Sequence, residues 1–374
     1  MPEQFGLDIR NNGMEAAISD FVRKLVLSDS ASRVFAPQYD ESGIAVYATL
    51  SDNSQGLTRP AIFAPYLNGN KGREAGMVSR ETGNDSKIIV VLRPCEARAF
   101  IELTKLSQAT RQRVLLITTD CPGTLSLKDY KQFREKYPAE RQSIDSFYSP
   151  FHNGERITKV QVRDCCTYCQ SLAHPESDIK LLLVGIGNEE IAVEAGSELG
   201  EKALKTLNLN TRAQINNDLR TKFADAQQIR RKILEEDWSK EILSIENFLS
   251  LLTHCRRCYN CRAECPICYC RECVFQTATF EVAPETIGRR ANWFGVIKMP
   301  QDTLLFQLTR MNHMASSCVA CGQCTEACPQ GIPVGRIFSS VAKRVQDLFG
   351  YSAGAKVADE LPLTVYKENE LEPR

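Results

Sequence analysis

Eight of the sixteen cysteines in this chain of 374 residues form two runs with the same spacing. A proline follows each run, and the pattern C-x2-C-x2-C-x3-C-P is typical of bacterial iron–sulfur sites. In two-cluster folds the fourth cysteine of each run ligates the other cluster. The spacing therefore predicts two [4Fe-4S] centres, one held by Cys255, Cys258, Cys261 and Cys328 and the other by Cys318, Cys321, Cys324 and Cys265.

Zinc is the alternative for a single run, because tetrahedral thiolate sites also use C-x2-C pairs. Two complete runs with trailing prolines favour iron–sulfur clusters. Disulfides are disfavoured, because the N-terminus lacks a basic segment followed by an apolar one, which predicts a cytoplasmic protein with reduced thiols. No apolar run approaches the roughly 20 residues of a membrane span. The 46 basic and 46 acidic residues balance, which argues against a nucleic-acid or membrane-surface partner.

Five further cysteines lie in the N-terminal half, and four of them could form one site. The apolar segments 87–92 and 114–119 predict two buried strands joined by a helix, and Cys95 and Cys121 follow the strand ends. A right-handed crossover makes such strands parallel, which places both cysteines at the edge of the sheet where ligands bind. The pair in Cys166-Thr-Tyr-Cys169 suits a zinc half-site, a redox pair or a cluster half-site. Taken alone, Cys95 and Cys121 are equally well explained as buried apolar thiols.

Hydrophobic periodicity predicts the elements that position these cysteines. Helices are expected over residues 14–27, 97–106, 211–253, 304–316 and 337–349, a charged, solvated helical layer over 126–148, and further strands over 43–50 and 178–187. The expected fold class is an α/β (α+β) N-terminal domain with a parallel-strand core, followed by a mainly α-helical two-cluster ferredoxin-like domain. The expected divisions are 1–235, 236–350 and a weakly ordered tail over 351–374.

Two segments have open interpretations. The segment 61–72 ends in a Gly/Asn-rich loop that carries Lys71, and such a loop can approach a phosphate or be an ordinary surface turn. Cys268, Cys270 and Cys273 follow the first run, and their spacing suits alternative ligands or thiols that modulate a cluster. The glycines that end the segment 178–187 form no G-x-G-x-x-G dinucleotide motif.

Several elements together match a known family. They are Arg93-Pro-Cys-Glu-Ala-Arg98, Asp120-Cys-Pro-Gly-Thr124, Cys166-Thr-Tyr-Cys169 with Asp178-Ile179 downstream, Cys265-Pro-Ile-Cys-Tyr-Cys-Arg-Glu-Cys273, and the paired runs. Over roughly residues 40–350 the chain resembles the coenzyme F420 hydrogenase/dehydrogenase beta-subunit family, whose members serve deazaflavin-reducing hydrogenases and formate dehydrogenases. The longer formate dehydrogenase type is the most similar.

The resemblance implies a further [4Fe-4S] cluster, a flavin and a partner. The cluster would be held by Cys95, Cys121, Cys166 and Cys169, with Cys165 as a spare thiol. An FAD is expected in the α/β domain, with contacts from Asn68, Lys71, Gly76, Ser79 and Arg93. The partner would be a catalytic redox subunit of formate dehydrogenase, hydrogenase or heterodisulfide-reductase type. The resemblance leaves open whether the acceptor is the deazaflavin coenzyme, a ferredoxin or another carrier.

Three functions are compatible with these residues. The leading hypothesis is an iron–sulfur flavoprotein, an electron-transfer subunit of a multi-subunit oxidoreductase that joins hydride chemistry at FAD to one-electron steps along clusters. The second is a flavin-free, polyferredoxin-like electron carrier. The third is a structural metal-binding scaffold subunit, and a colourless, zinc-loaded protein would exclude both redox hypotheses.

Overall fold

The computed structural model describes residues 4–28, 31–50, 57–81, 87–169, 172–207, 209, 211–242, 244–296, 302–362 and 364. A seven-stranded mixed sheet occupies the N-terminal half. Its strands are β1 (Gln4–Asp8), β2 (Arg33–Tyr39), β3 (Ala45–Leu50), β4 (Ile88–Leu92), β5 (Val114–Thr119), β6 (Ile179–Leu182) and β7 (Glu190–Ala195). They are ordered β1-β7-β6-β5-β4-β2-β3, with β2, β4, β5 and β6 parallel and the other pairs antiparallel.

The parallel pairing predicted for the two apolar strands is confirmed. Ile88 lies opposite Val114 and Leu92 opposite Thr118, and every residue of β4 and β5 is buried, as expected for strands covered on both faces. The strands β1, β2 and β7 were not predicted. The strand predicted over 178–187 ends at Leu182, and the chain turns through Gly185 into the antiparallel β7.

Helices cover the sheet and make up the C-terminal part. Around the sheet lie α1 (Gly13–Leu27), α2 (Gly72–Ser79), α3 (Pro94–Lys105), α4 (Leu127–Lys136), α5 (Glu140–His152), α6 (Asp164–Thr167) and α7 (Glu198–Thr206). There follow α8 (Asn217–Ile242), α9 (Ile245–Leu252), α10 (Asn260–Ala263), α11 (Pro284–Phe294), α12 (Thr303–Met314), α13 (Gln323–Glu326) and α14 (Val334–Leu348). Residues 244–296 and 302–362 contain no strand, which confirms a mainly helical C-terminal part. Within the described ranges, none of the helices is both apolar and long enough to cross a bilayer.

Two predictions about helices were wrong in part. Residues 126–148 form two helices rather than one solvated layer, and α5 buries Phe147, Tyr148 and Phe151 in the core. The helix predicted over 211–253 starts only at Asn217 and is divided into α8 and α9. The division has a local cause, because the Ser244 hydroxyl accepts the Asn247 N–H and caps the start of α9.

Two apolar cores lie on opposite faces of the sheet, since successive strand residues alternate between them. Ile89 belongs to one core, whereas Val90 belongs to the other. The second core continues through α3 into the C-terminal part, where it includes Phe306 and Ile337. The boundary predicted near residue 235 falls inside α8 and stays a prediction.

The predicted tail begins with residues that have defined contacts. The Tyr351 hydroxyl and the Gly354 N–H both donate to the Glu102 carboxylate on α3, at 2.6 and 2.8 Å. Residues 351–357 therefore pack against the sheet part, and the later positions 363 and 365–374 lie outside the described residues.

Replacing Asp178 with asparagine is expected to destabilise the fold by about 3 kcal/mol, because it breaks a buried charged network. The Asp178 carboxylate accepts the Leu116 N–H at 2.7 Å and the Ser197 hydroxyl at 2.6 Å, and it pairs with Arg111 at 3.0 Å. Denaturant unfolding measures the change.

The matched control is Asp218→Asn, which removes an exposed ion pair with Lys222. That change is expected to stay within about 0.5 kcal/mol. Equal effects of the two substitutions would contradict the network's role.

Candidate metal centres

The two C-terminal cysteine runs fold into the same local structure. Each has left-handed backbone at two equivalent positions, Arg257 (φ 51°) and Tyr259 (φ 63°) in one and Ala320 (φ 53°) and Gly322 (φ 68°) in the other. A four-residue helix, α10 or α13, then follows. Such turns direct successive backbone N–H groups to one concave side, which suits an anionic group. Three of the four are not glycine, which indicates that the site imposes the loop shape.

The first thiol set consists of Cys255, Cys258, Cys261 and Cys328, which line one cavity. Three of these cysteines belong to the first run and Cys328 is the last of the second, so the structure brings together the crossed group that the spacing predicts. Two side chains of α12 approach its sulfurs: the Arg310 guanidinium donates to Cys261 Sγ at 3.1 Å and the Gln307 amide to Cys255 Sγ at 3.7 Å. Such donors stabilise negative charge on metal-bound sulfur.

The second thiol set consists of Cys318, Cys321, Cys324 and Cys265. Burial raises the pKa of Cys318 to about 11 and that of Cys321 to about 12, and the neighbouring Cys265 acts in the same direction. The backbone N–H groups of Ala320 and Gln323 oppose these shifts. Iron binding displaces such protons, because cysteine ligates as the thiolate. Four half-buried thiols, two of which accept from backbone N–H groups, therefore fit an iron–sulfur cluster.

The third thiol set consists of Cys95, Cys121, Cys166 and Cys169, which line a cavity of about 50 Å³. Cys95 follows β4 and Cys121 follows β5, while α6 and the residues after it carry the other two. The parallel sheet thus brings together cysteines that no local motif joins. Burial raises the pKa of Cys121 to about 12, and the Arg93 guanidinium in the same wall opposes the shift. Cys321 of the second set lines this cavity as well.

Cys165 lies beside the third set, between it and the second run. Its Sγ is 3.9 Å from Cys166 Sγ, and this contact lowers the pKa of Cys166 to about 6. A Cβ at Gly322 would lie 2.3 Å from the Cys165 Cβ, so only glycine fits there. At the equivalent position of the first run, Tyr259 instead packs its ring on Phe306. This contact between Cys165 and Gly322 was not predicted from the sequence.

Two arginines attach the second run to the wall of the third cavity. Arg163 donates to the Leu67 carbonyl at 3.0 Å and to the Gln323 side chain at 3.3 Å. Arg336 on α14 donates twice to the Asp164 carboxylate, at 2.6 and 2.7 Å. These contacts hold α13 and α14 against α6, which explains why Cys321 faces the third set. Neither arginine was singled out from the sequence.

The remaining cysteines lie outside the cavities of the first and third sets. Cys270 is exposed, and Cys268 and Cys273 are partly buried. None of the three lines either cavity. In the described ranges, no three His, Cys, Asp or Glu side chains are grouped to hold a single metal ion.

The five residues predicted to contact a flavin are divided between two environments. Arg93 is buried in the wall of the third cavity, where its Nε and Nη1 have no hydrogen-bond partner, and Asn68 and Lys71 lie on the adjoining loop. Gly76 and Ser79 are buried within α2. The Ser79 hydroxyl donates to the Gly76 carbonyl and accepts the Thr110 N–H, so it is already used in packing.

A larger cavity, of about 500 Å³, lies between α1 and α5 and was not predicted. The Tyr39 hydroxyl is buried there without a partner. The Glu15 carboxylate accepts the N–H groups of Ile62 and Phe63, and burial raises its pKa to about 7. The size lies within the range of small-molecule pockets.

Comparison with known families matches both halves of the chain. Residues 85–219 match the model for the C-terminal region of the coenzyme F420 hydrogenase/dehydrogenase beta subunit, and residues 254–333 match that of a 4Fe-4S dicluster domain. A chain of the F420-reducing [NiFe] hydrogenase complex from Methanosarcina barkeri has a TM-score of 0.48 and 13% identity, covering 65% of this chain and 94% of that one. A likeness at that level adds nothing to the assignment.

Two curated relatives are more similar. The F420-dependent formate dehydrogenase subunit beta of Methanocaldococcus jannaschii is 29% identical over 306 residues, 74% of this chain and 76% of the relative. The F420-dependent formate dehydrogenase 1 subunit beta of Methanococcus maripaludis is 30% identical over 320 residues, 77% of each chain. The resemblance seen in the sequence is therefore confirmed: the chain belongs to the coenzyme F420 hydrogenase/dehydrogenase beta-subunit family and carries a 4Fe-4S dicluster domain.

Proposed function

We propose that this iron–sulfur electron-transfer subunit is a flavoprotein that relays electrons between an FAD and three [4Fe-4S] clusters. The clusters would be held by the first, second and third thiol sets. The observation that carries the proposal is the position of Cys321, which belongs to the second set and also lines the cavity of the third. Three four-thiol sets in contact are more than a structural metal scaffold needs.

The residues of this chain fix the order in which the three thiol sets would follow one another in such a relay. The clusters would supply one-electron transfer and the flavin would exchange a hydride for single electrons. The crossed cysteines Cys265 and Cys328 tie the first set to the second. Arg163 and Arg336 hold the second set against the third. The order first, second, third is thus built into contacts between named side chains.

The flavin has two candidate places. The loop that carries Asn68 and Lys71 adjoins buried donor atoms without a partner in the wall of the third cavity, namely Nε and Nη1 of Arg93 and the amide nitrogen of Asn70. The thiol cavity itself is too small for a flavin, so only its mouth is available. The larger cavity with Tyr39 has the volume but lies farther along the sheet part. We assign the flavin to the loop, because there it would adjoin the third thiol set.

The partner proposed is a catalytic redox subunit, as the word subunit in both relatives' names implies for those proteins. A formate dehydrogenase is the first choice, and the deazaflavin coenzyme F420 is the proposed electron acceptor or donor at the flavin. A ferredoxin remains the second choice. A cytoplasmic location is part of the same proposal.

Full-length protein purified without oxygen is expected to be brown, with about twelve irons, four for each cluster, and to release one flavin on denaturation. Iron and acid-labile sulfide assays and visible spectra measure this. A measured content of about eight irons would contradict the third cluster. Protein that releases no flavin would be a flavin-free electron carrier. A colourless protein that contains zinc would reject redox function altogether.

Two substitutions locate the flavin in the same experiment. Lys71→Ala is expected to lower the flavin content while leaving iron unchanged, whereas Tyr39→Phe is expected to leave both unchanged. The reverse result would place the flavin in the larger cavity.

A further inference from the structure

The segment between the two cysteine runs contains a buried polar pair on α12. Arg310 and Gln307 are one helical turn apart, and both are at least 95% buried. The guanidinium donates to Cys261 Sγ at 3.1 Å, to the Cys261 carbonyl at 3.0 Å and to the Gln307 side chain at 3.1 Å. The rings of Phe306 and Phe338 flank it, at 5.4 and 4.7 Å. A spacer between two metal-binding runs would not require a buried cation.

The charge of Arg310 has no carboxylate to balance it in the described part of the chain. Its polar contacts are the amide of Gln307 and the sulfur and carbonyl of Cys261. An unpaired buried cation is costly. Negative charge on the sulfurs of the first set would balance it, and iron-bound thiolates carry that charge. The buried charge of Arg310 is therefore better balanced when the first thiol set holds a cluster than when its thiols are protonated and neutral.

Arg98 on α3 approaches a cysteine sulfur of the third set. It is half-buried, and its Nη2 lies 4.0 Å from Cys169 Sγ. The Arg98 carbonyl leaves no room for a side chain at position 354, since a Cβ on Gly354 would lie 2.0 Å away.

We propose that Arg310 and Arg98 are positioning residues that raise the reduction potentials of the clusters at the first and third thiol sets, through their contacts with Cys261 and Cys169. Reduction adds negative charge to a cluster, and a fixed cation beside its sulfur stabilises that charge. The two ends of the relay thereby accept electrons more readily than they would without the arginines. The inference rests on the proposed iron–sulfur function.

The test is a redox titration of the full chain, loaded with iron and followed by electron paramagnetic resonance. Arg310→Gln is expected to lower the midpoint of one cluster so that its reduced-to-oxidised ratio at fixed potential falls about tenfold, or about 59 mV for one electron. Arg310→Lys keeps the charge and is expected to recover most of the shift. Arg98→Gln should lower the midpoint of a different cluster.

The control is Arg111→Gln, which removes an arginine that pairs with Asp178 away from the thiol sets. This substitution is expected to lower the stability of the protein and to leave the midpoint potential of every cluster unchanged. Full iron content with unmoved midpoints in both glutamine variants would overturn the inference, and so would a rise in potential. If Arg310→Gln does not retain iron, the Arg310→Lys variant tests the inference instead. Lysine loses the forked contact with Cys261, so the midpoint potential of the cluster should still fall, but by less. Wild-type protein without iron would instead reject the proposed function.

Discussion

Cys321→Ala protein purified without oxygen is expected to contain at least about four irons fewer than the wild type, with a partial loss from neighbouring clusters. Cys321 belongs to the second set, whose fourth thiol, Cys265, comes from the first run, and it also lines the cavity of the third set. Removal of one thiol therefore reaches all three sites. Iron and sulfide assays, with thermal unfolding, measure the loss.

A cysteine outside the three sets provides the control. Cys270 is exposed and lines neither the first nor the third cavity, so Cys270→Ser is expected to retain nearly all of the iron. A change in a cluster potential is the most that this substitution should cause, since nearby thiols tune clusters. If Cys321→Ala kept its iron while Cys270→Ser lost a cluster, the assignment of the second set would be wrong.

Cys121→Ala is expected to remove about a third of the iron and to leave the two clusters of the dicluster domain. Its sulfur is buried beside Arg93, at the end of β5, and no other thiol of the third set can replace it from the same strand. The spectrum of the remaining clusters should persist, because their ligands come from a different part of the chain. Electron paramagnetic resonance of the reduced protein separates the signals.

The matched control is Cys165→Ala, which removes the neighbouring thiol that lies outside the third cavity. Its iron content is expected to stay at the wild-type level, because Cys165 is not one of the four thiols of the third set. Iron loss in Cys165→Ala together with retention in Cys121→Ala would make Cys165 the ligand and Cys121 the spare thiol.

Features that depend on neighbouring residues were predicted correctly, whereas features that depend on packing between distant segments were missed. The strands β4 and β5 were predicted because a continuous apolar run is a local signal. The strands β1 and β7 were missed, since each pairs with the other from the opposite end of the sheet part. The strand β2 was missed although its partner β3 follows it directly, because its segment was not singled out as apolar or alternating. The buried face of α5 was missed because the segment 126–148 was judged as a whole, and the many charged residues of α4 conceal the aromatic residues of α5 that pack in the core.

By itself, the sequence determined the family, the two cysteine runs and their crossed grouping, because ligand spacing within a run is a local property of the backbone. Only the tertiary structure decided that Cys321 faces the third set, that Gly322 must be glycine beside Cys165, and that Arg310 and Arg98 point at sulfur. These facts depend on how helices pack across a shared core. Packing joins Arg310 to Cys261 across 49 positions and Arg98 to Cys169 across 71, and no spacing in one sequence encodes that juxtaposition.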